Sequence, residues 1–139
     1  MANNIDFTQS AIIPYRFTEQ GLEILLITSI RKKKWIIPKG FIEFNLTAFE
    51  SAKKEAFEEA GVIGMNETVE LGSFTLKKYG GLTKILVYSM EVEKIKDDYP
   101  EKNLRKRKWF TVQEASKEVS LPEVGNMIKE LEVDLGKNQ

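Results

Sequence analysis

The order of apolar runs, turn residues and helix signals predicts an α+β fold, an α/β/α sandwich in which a central mixed β-sheet is flanked by helices. Three observations carry that prediction. Strand-like runs rich in β-branched and apolar residues dominate the chain. One internal helix is marked at both ends by capping residues. A further helical run closes the chain. Strands and helices do not alternate regularly, which argues against a doubly wound parallel sheet. With no linker, repeat or low-complexity segment, residues 1–139 read as one domain.

The first strands are expected at 12–17 (IIPYRF) and 22–30 (LEILLITSI), paired across the turn-like TEQG. A short strand follows at 34–38 and stops at Pro38 and Gly40. Thr47 and Glu50 have the spacing of a capping box, so a helix begins there. It runs to about Ala60 and ends at Gly61, a residue suited to the left-handed position that terminates helices. Strands at 69–79 and 83–95, joined through Gly80 and Gly81, come next. The polar loop DDYPEKNLRK leads to a strand at 107–111 and a short helix in VQEAS. A closing helix is expected over 121–135, starting near Pro122.

Composition narrows the chemistry. Histidine and cysteine are both absent, which removes Ser-His-Asp and Cys-His catalysis, imidazole- or thiolate-bound metals, and disulfides. Acid–base work falls to Glu, Asp, Lys, Tyr or a metal-bound water, and any metal site must be built from oxygens, which suits magnesium or manganese. No run is apolar enough for a membrane span and the N-terminus does not read as a secretory signal, so a cytoplasmic protein is expected. Basic and acidic residues balance at 21 each, so overall charge gives no argument for nucleic-acid binding. Two local basic runs stand out, IRKKKW (30–35) and LRKRKW (104–109).

The stretch AKKEAFEEAG (52–61) poses the functional question. At 100° per residue, Phe49, Ala52, Ala56 and Ala60 share one side of the helix, and Glu55, Glu58 and Glu59 border it. Like charges at these spacings repel, and the C-terminal end of a helix disfavours anions. Two readings are open: a solvated acidic face, with Lys53 and Lys54 as partial compensation, or a set of oxygen ligands whose repulsion a divalent cation relieves.

Position separates the two. The segment from Gly40 to Val62 resembles the Nudix box, the signature of the Nudix hydrolases, which runs Gly, five residues, Glu, seven residues, Arg-Glu-aliphatic-any-Glu-Glu-any-Gly-aliphatic. Gly40, Glu55, Glu58, Glu59, Gly61 and Val62 match at the required spacing, with Ala56 at the aliphatic position. Leu46 and Lys54 depart, standing where the pattern has glutamate and arginine. AIIPYR, EILLITS, KWIIPKG and DDYPEKNLRKRKWFTVQEA extend the likeness over nearly the whole chain, toward the bacterial diphosphoinositol polyphosphate phosphohydrolase-like branch.

The resemblance implies hydrolysis of a diphosphate bond with Mg²⁺ or Mn²⁺ as cofactor. The substrate would be a nucleoside diphosphate derivative, a dinucleoside polyphosphate or a diphosphoinositol polyphosphate, a phosphorylated small molecule, with an RNA 5′ end as the one nucleic-acid case. It implies Glu55 and Glu59 as metal ligands with the Lys39 carbonyl, Glu58 as general base or further ligand, and a catalytic part for Glu55 as well. A further acid from a later loop is expected among Glu101, Asp97 and Asp98. Arg16, Arg31, Lys39, Gly40 and Arg105 match positions on the phosphate-binding side, and Lys77 and Lys78 lie on a strand that could face the same cleft. Trp35 and Trp109 are expected as core anchors. The departures at 46 and 54 leave a second reading, a weakly active or inactive nucleotide-binding module.

Overall fold

The computed structural model describes residues 5–64, 70–78 and 80–137, and it forms the expected sandwich. Nine strands and three helices occur among these residues: β1 (Ile5–Thr18), β2 (Gly21–Thr28), β3 (Trp35–Ile36), β4 (Lys39–Phe41), α1 (Ala48–Ala60), β5 (Val62–Ile63), β6 (Glu70–Lys78), β7 (Gly81–Glu91), β8 (Lys94–Ile95), β9 (Arg107–Thr111), α2 (Val112–Glu118) and α3 (Pro122–Lys137). Seven strands make one mixed sheet in the order β3-β2-β1-β7-β6, with β4 also on β1 and β9 also on β2. Of the strand pairs in this sheet among the described residues, only the long central pair β1–β7 is parallel.

Side-chain alternation along the strands splits the core into two layers. Ala11, Ile13, Ile24, Leu26, Ile85 and Val87 face α2 and α3, packing with Ala115, Val124, Ile128 and Leu131. Ile12, Leu25, Ile27 and Met90 face α1, where Ala52, Ala56 and Ala60 are fully buried. Alanines at that contact bring the helix backbone close to the sheet, which sets how near its carboxylates come to the strands. Both predicted caps form. The Thr47 hydroxyl accepts from the Glu50 N–H while the Glu50 carboxylate accepts from the Thr47 N–H. Gly61 closes α1 at φ 69°, its N–H donating to the Phe57 carbonyl. Thr111 and Glu114 repeat the capping box at the start of α2.

Several boundaries differ from expectation. The first strand starts at Ile5, well before 12, because it runs parallel to β7 through a segment too polar to read as a strand. Along it, β1 pairs with β4 through Gln9–Ala11 and with β2 through Tyr15–Thr18. Pro14 falls between those two partners, and since the Ile12 N–H donates toward Pro38, the missing N–H of Pro14 faces the same gap. The second strand ends at Thr28, not 30, because Ser29 and Lys34 close a turn with Lys33 at φ 55°. Residues 39–41, past the expected stop of the third strand, form β4. The run at 83–95 divides into β7 and β8, the latter pairing with β5 just after α1. Val69 and Tyr79, the ends of the expected 69–79 strand, lie outside the described residues.

Gly61 illustrates a glycine set by both backbone and space. A Cβ there would lie 2.5 Å from Tyr99 Cδ1 and 2.7 Å from Arg107 Nη1, at a φ that side chains rarely adopt. Gly61→Ala is expected to cost about 2–4 kcal/mol, read as a fall of roughly 10 °C in melting temperature.

Candidate active site

Beyond Tyr15, strands β1 and β2 part, and residues 35–41 fill the space between them. α1 lies over this split, so its last two turns meet β4. The chain comes closest at Gly40, where a Cβ would fall 2.4 Å from Glu55 Cδ and 2.7 Å from Glu55 Cγ. One residue earlier, the Lys39 N–H donates to Glu59 Oε1 at 3.3 Å. Glu59 is 6% exposed, a buried carboxyl whose neighbour along the helix, Glu55, is hydrogen-bonded to it.

A loop from the far side completes the wall. The Glu101 N–H donates to the Glu58 carbonyl at 3.0 Å, fastening the 97–106 loop to α1. Arg105 donates through Nε to Glu101 Oε1 at 2.9 Å and through Nη1 to the Thr28 carbonyl at 3.1 Å. Its other nitrogen stands 4.0 Å from Glu59 Oε1, too far for a hydrogen bond but close enough to act on its charge. Arg107 donates to the Ala60 carbonyl at 2.8 Å and stacks on Tyr99, placing a cation at the helix end that carries three carboxylates.

These surroundings determine protonation. Burial pushes the Glu59 carboxyl up to about 8; the Arg105 guanidinium opposes the rise, the hydrogen bond and charge of Glu55 add to it, and the Lys39 N–H works against it. Burial also raises Glu55, whose hydrogen bond with Glu59 acts the other way, while Glu58, Glu101 and Glu43 add like charge. Near neutral pH the pair therefore shares a proton. Lys39 is lowered to about 8 by burial first and then by the neighbouring Lys78, against the attraction of Glu59.

A proton held between a buried carboxyl and a half-buried one is what a divalent cation displaces. Among the described residues no three acidic side chains stand close enough together to ligate one ion. The pair plus a main-chain carbonyl of Lys39 makes an oxygen-only donor set that fits a hard cation. The residues present thus suit the implied metal.

The other expected residues divide. Glu58, half-buried, sits beside the pair with its carbonyl on the Glu101 N–H. Of the three loop acids, Glu101 is docked on α1; Asp98 pairs with Lys102 at 3.0 Å and Asp97 lies 3.8 Å from Arg107 Nη2, both out at the surface. Arg31 is exposed on the 29–34 turn, which adjoins Arg105 through Thr28. Lys78 lies beside Lys39, whereas Lys77 is exposed and points the other way along the strand.

Arg16 is not brought to this site. It lies six residues along β1 from Ser10, the partner of Gly40, or roughly 20 Å. There it is bonded to Glu23 at 2.8 Å and stacked 4.1 Å over Trp109. Trp109 and Trp35 are half-buried and pack against the core as expected, Trp35 edge-on to Phe110 at 5.0 Å.

Sequence reading missed Gln9, Arg107 and Glu43. Gln9, whose Oε1 accepts from Lys39 Nζ at 3.1 Å, sits in period two with Ala11, Ile13 and Tyr15, a polar residue on an apolar face, and that alternation was its signal. Which cation of RKRKW turns inward depends on the β2–β9 register, which no local pattern gives. Glu43 answers the departure at 54: Lys54 Nζ meets its carboxylate at 2.8 Å, and its N–H is held by the buried Ser51 hydroxyl at 3.0 Å. Leu46 and Lys54 together therefore leave no stranded charge.

Known proteins share both sequence and fold with this chain. The NUDIX domain family matches residues 7–131. Nudix hydrolase 12, mitochondrial, of Arabidopsis thaliana is 32% identical over 127 residues, covering 76% of this chain and 63% of that protein. Diphosphoinositol polyphosphate phosphohydrolase 2 of Rattus norvegicus is 36% identical over 103 residues, covering 72% of this chain and 56% of that protein. The chain thus spans less than two thirds of the length of these relatives. Among solved structures, the C. elegans Ap4A hydrolase superposes with a TM-score of 0.74 at 19% identity, covering 93% of this chain and 98% of that one. The NUDIX domain of Shewanella oneidensis NrtR, complexed with ADP ribose, gives 0.73 at 13% identity, covering 94% and 88%.

Proposed function

The chain belongs to the NUDIX domain family, and from that premise we propose that it is a pyrophosphohydrolase working with Mg²⁺ or Mn²⁺. Its substrate is a nucleoside diphosphate derivative, a dinucleoside polyphosphate or a diphosphoinositol polyphosphate. The observation that carries the reading is the Glu55–Glu59 pair, a half-buried carboxyl against a buried one that accepts from the Lys39 N–H. A structural acidic helix face has no reason to be buried in this way.

Hydrolysis adds water across a P–O–P bridge: a bond from the water oxygen to phosphorus forms, the bridging P–O bond breaks, and the water's proton passes to a base. Glu55, Glu59 and the Lys39 carbonyl would hold the divalent cation, which when bound would supply charge neutralisation on the diphosphate and acidify the attacking water. Glu58, beside the pair and less buried, takes the proton as general base or serves as a further ligand. Arg105, fixed by Glu101 and the Thr28 carbonyl, keeps a guanidinium over the developing phosphate charge. Lys39 adds a second cation, and Arg31 stands at the rim.

The test is turnover on a panel of diphosphate compounds with product identification, run with Mg²⁺, with Mn²⁺ and with chelator. Metal-dependent cleavage of at least one class is expected. Binding of panel compounds with no cleavage under any metal would sink the hydrolase reading and leave a binding module.

A further inference from the structure

Two side-chain hydroxyls, Ser10 Oγ and Thr83 Oγ1, have no hydrogen-bond partner among the described residues, and both residues are fully buried. A hydroxyl taken out of water with nothing to bond costs stability. The two lie on opposite faces of the sheet. Thr83 is in period two with Ile85 and Val87, which face α2 and α3. Ser10 is in period two with Ile12, which packs with Ala52 and Ala56 of α1. Of the two, only Ser10 is on the side of the glutamates.

Its register places it more closely. Ser10 stands opposite Gly40 in the β1–β4 pair and opposite Leu86 on its other flank. Opposed residues of an antiparallel pair project to the same side, with Cβ atoms about 5 Å apart. At Gly40 that direction leads to Glu55: a Cβ there would lie 2.7 Å from Glu55 Oε2. The Ser10 side chain is therefore aimed at the floor beneath the Glu55 carboxylate, and the side chains flanking it, a glycine and a leucine, offer no acceptor. Glu55 is meanwhile turned to Glu59, with which it is hydrogen-bonded.

We propose that Ser10 is a positioning residue for Glu55: when Glu55 gives up Glu59 for a divalent cation, the Ser10 hydroxyl donates to the Glu55 oxygen left free. The inference rests on the reading of Glu55 as a metal ligand. A ligating carboxylate keeps its orientation through a hydrogen bond to its outer oxygen, and half-buried Glu55 has lost the one it made to Glu59. A serine hydroxyl supplies one O–H and turns about a single bond to aim it. The unmet bond at Ser10 is then a cost of the metal-free protein that metal binding removes. Thr83, on the far face, has no such acceptor to gain and serves as the control.

Mn²⁺ is titrated calorimetrically into metal-free full-length protein at pH 7, and melting temperatures are read in chelator. Ser10→Ala is expected to weaken Mn²⁺ binding about tenfold. In chelator the same variant is expected to melt about 3 °C higher, since it deletes a buried hydroxyl with no partner. Thr83→Val removes the other hydroxyl at nearly constant shape; it should melt higher too, with Mn²⁺ affinity changed less than about twofold. A residue that only supported the fold would not give opposite signs in the two readings. Unchanged Mn²⁺ affinity in Ser10→Ala, equal losses in both variants, or a lower melting temperature for Ser10→Ala in chelator overturns the positioning role and leaves Glu55 as a ligand. No Mn²⁺ binding by the wild type overturns the ligand reading, and this role with it.

Discussion

Replacing Glu59 by glutamine is expected to lower turnover by about 10³-fold or more and, in metal-free protein at pH 8, to raise the melting temperature. The first effect follows from removing one of the two carboxylates proposed to hold the cation: a loss of about 4 kcal/mol of transition-state stabilisation is about three factors of ten. The second follows from protonation. The folded-state pKa of Glu59, about 8, lies above its ordinary value of 4.5. Its neutral form thus contributes stability that is complete below the ordinary carboxylate range and is lost as pH rises to about 8. The loss is on the order of a few kcal/mol. Lys39, lowered to about 8, affects stability only above that pH, so the window from 5 to 8 belongs to the carboxylates. Melting curves in chelator from pH 5 to 8.5 should fall steadily for the wild type and be much flatter for Glu59→Gln, whose amide keeps the neutral state at every pH. A wild-type profile that does not fall would refute the buried-proton account. Added Mn²⁺ should restore the wild type more at pH 8 than at pH 6, since the cation displaces a proton.

Gly40→Ala is expected to separate activity from stability. The new methyl would strike the Glu55 side chain, at 2.4 Å from Cδ. Unlike the clash at Gly61, this one meets the outer half of a flexible side chain, and no positive φ is involved at Gly40. The cheap relief is for Glu55 to swing away, costing about 1 kcal/mol of stability or less. Moving a proposed metal ligand by an ångström is another matter, and a fall of about 10²-fold in kcat/KM is expected, with a weaker Mn²⁺ affinity in parallel. The contrast with Gly61→Ala, which should lose stability first, checks the argument. If Gly40→Ala melted far below the wild type with metal affinity unchanged, the glycine would be structural and its place against Glu55 incidental.

How much of this was legible in the sequence depended on the range of the cause. Thr47, Glu50 and Gly61 act within one helical turn, and both ends of α1 fell where they predict. Glu55, Glu58 and Glu59 are set by helical period, so their common side was readable too. Arg16 stands apart from the carboxylate pair, and its sequence neighbourhood says nothing of which way β1 runs past Gly40. The start of β1 at Ile5 depends on a parallel partner more than seventy residues on, and Gln9 meets Lys39 through the separate β1–β4 pairing. Lys54 could be seen as a departure, but its answer in Glu43 needed the loop fold that Ser51 pins.

The fastenings of the site have a consequence for the order in which the molecule assembles. Arg107 reaches the Ala60 carbonyl across 47 positions, and Arg105 reaches the Thr28 carbonyl across 77. Closing loops of that length is entropically slow, whereas a helix of capped, mostly favourable residues forms in microseconds or less. α1 can therefore wind early, but its acidic end stays unclasped until β9 docks on β2. During folding the three carboxylates exist as a solvated helix end first and are clasped into the proposed binding site last.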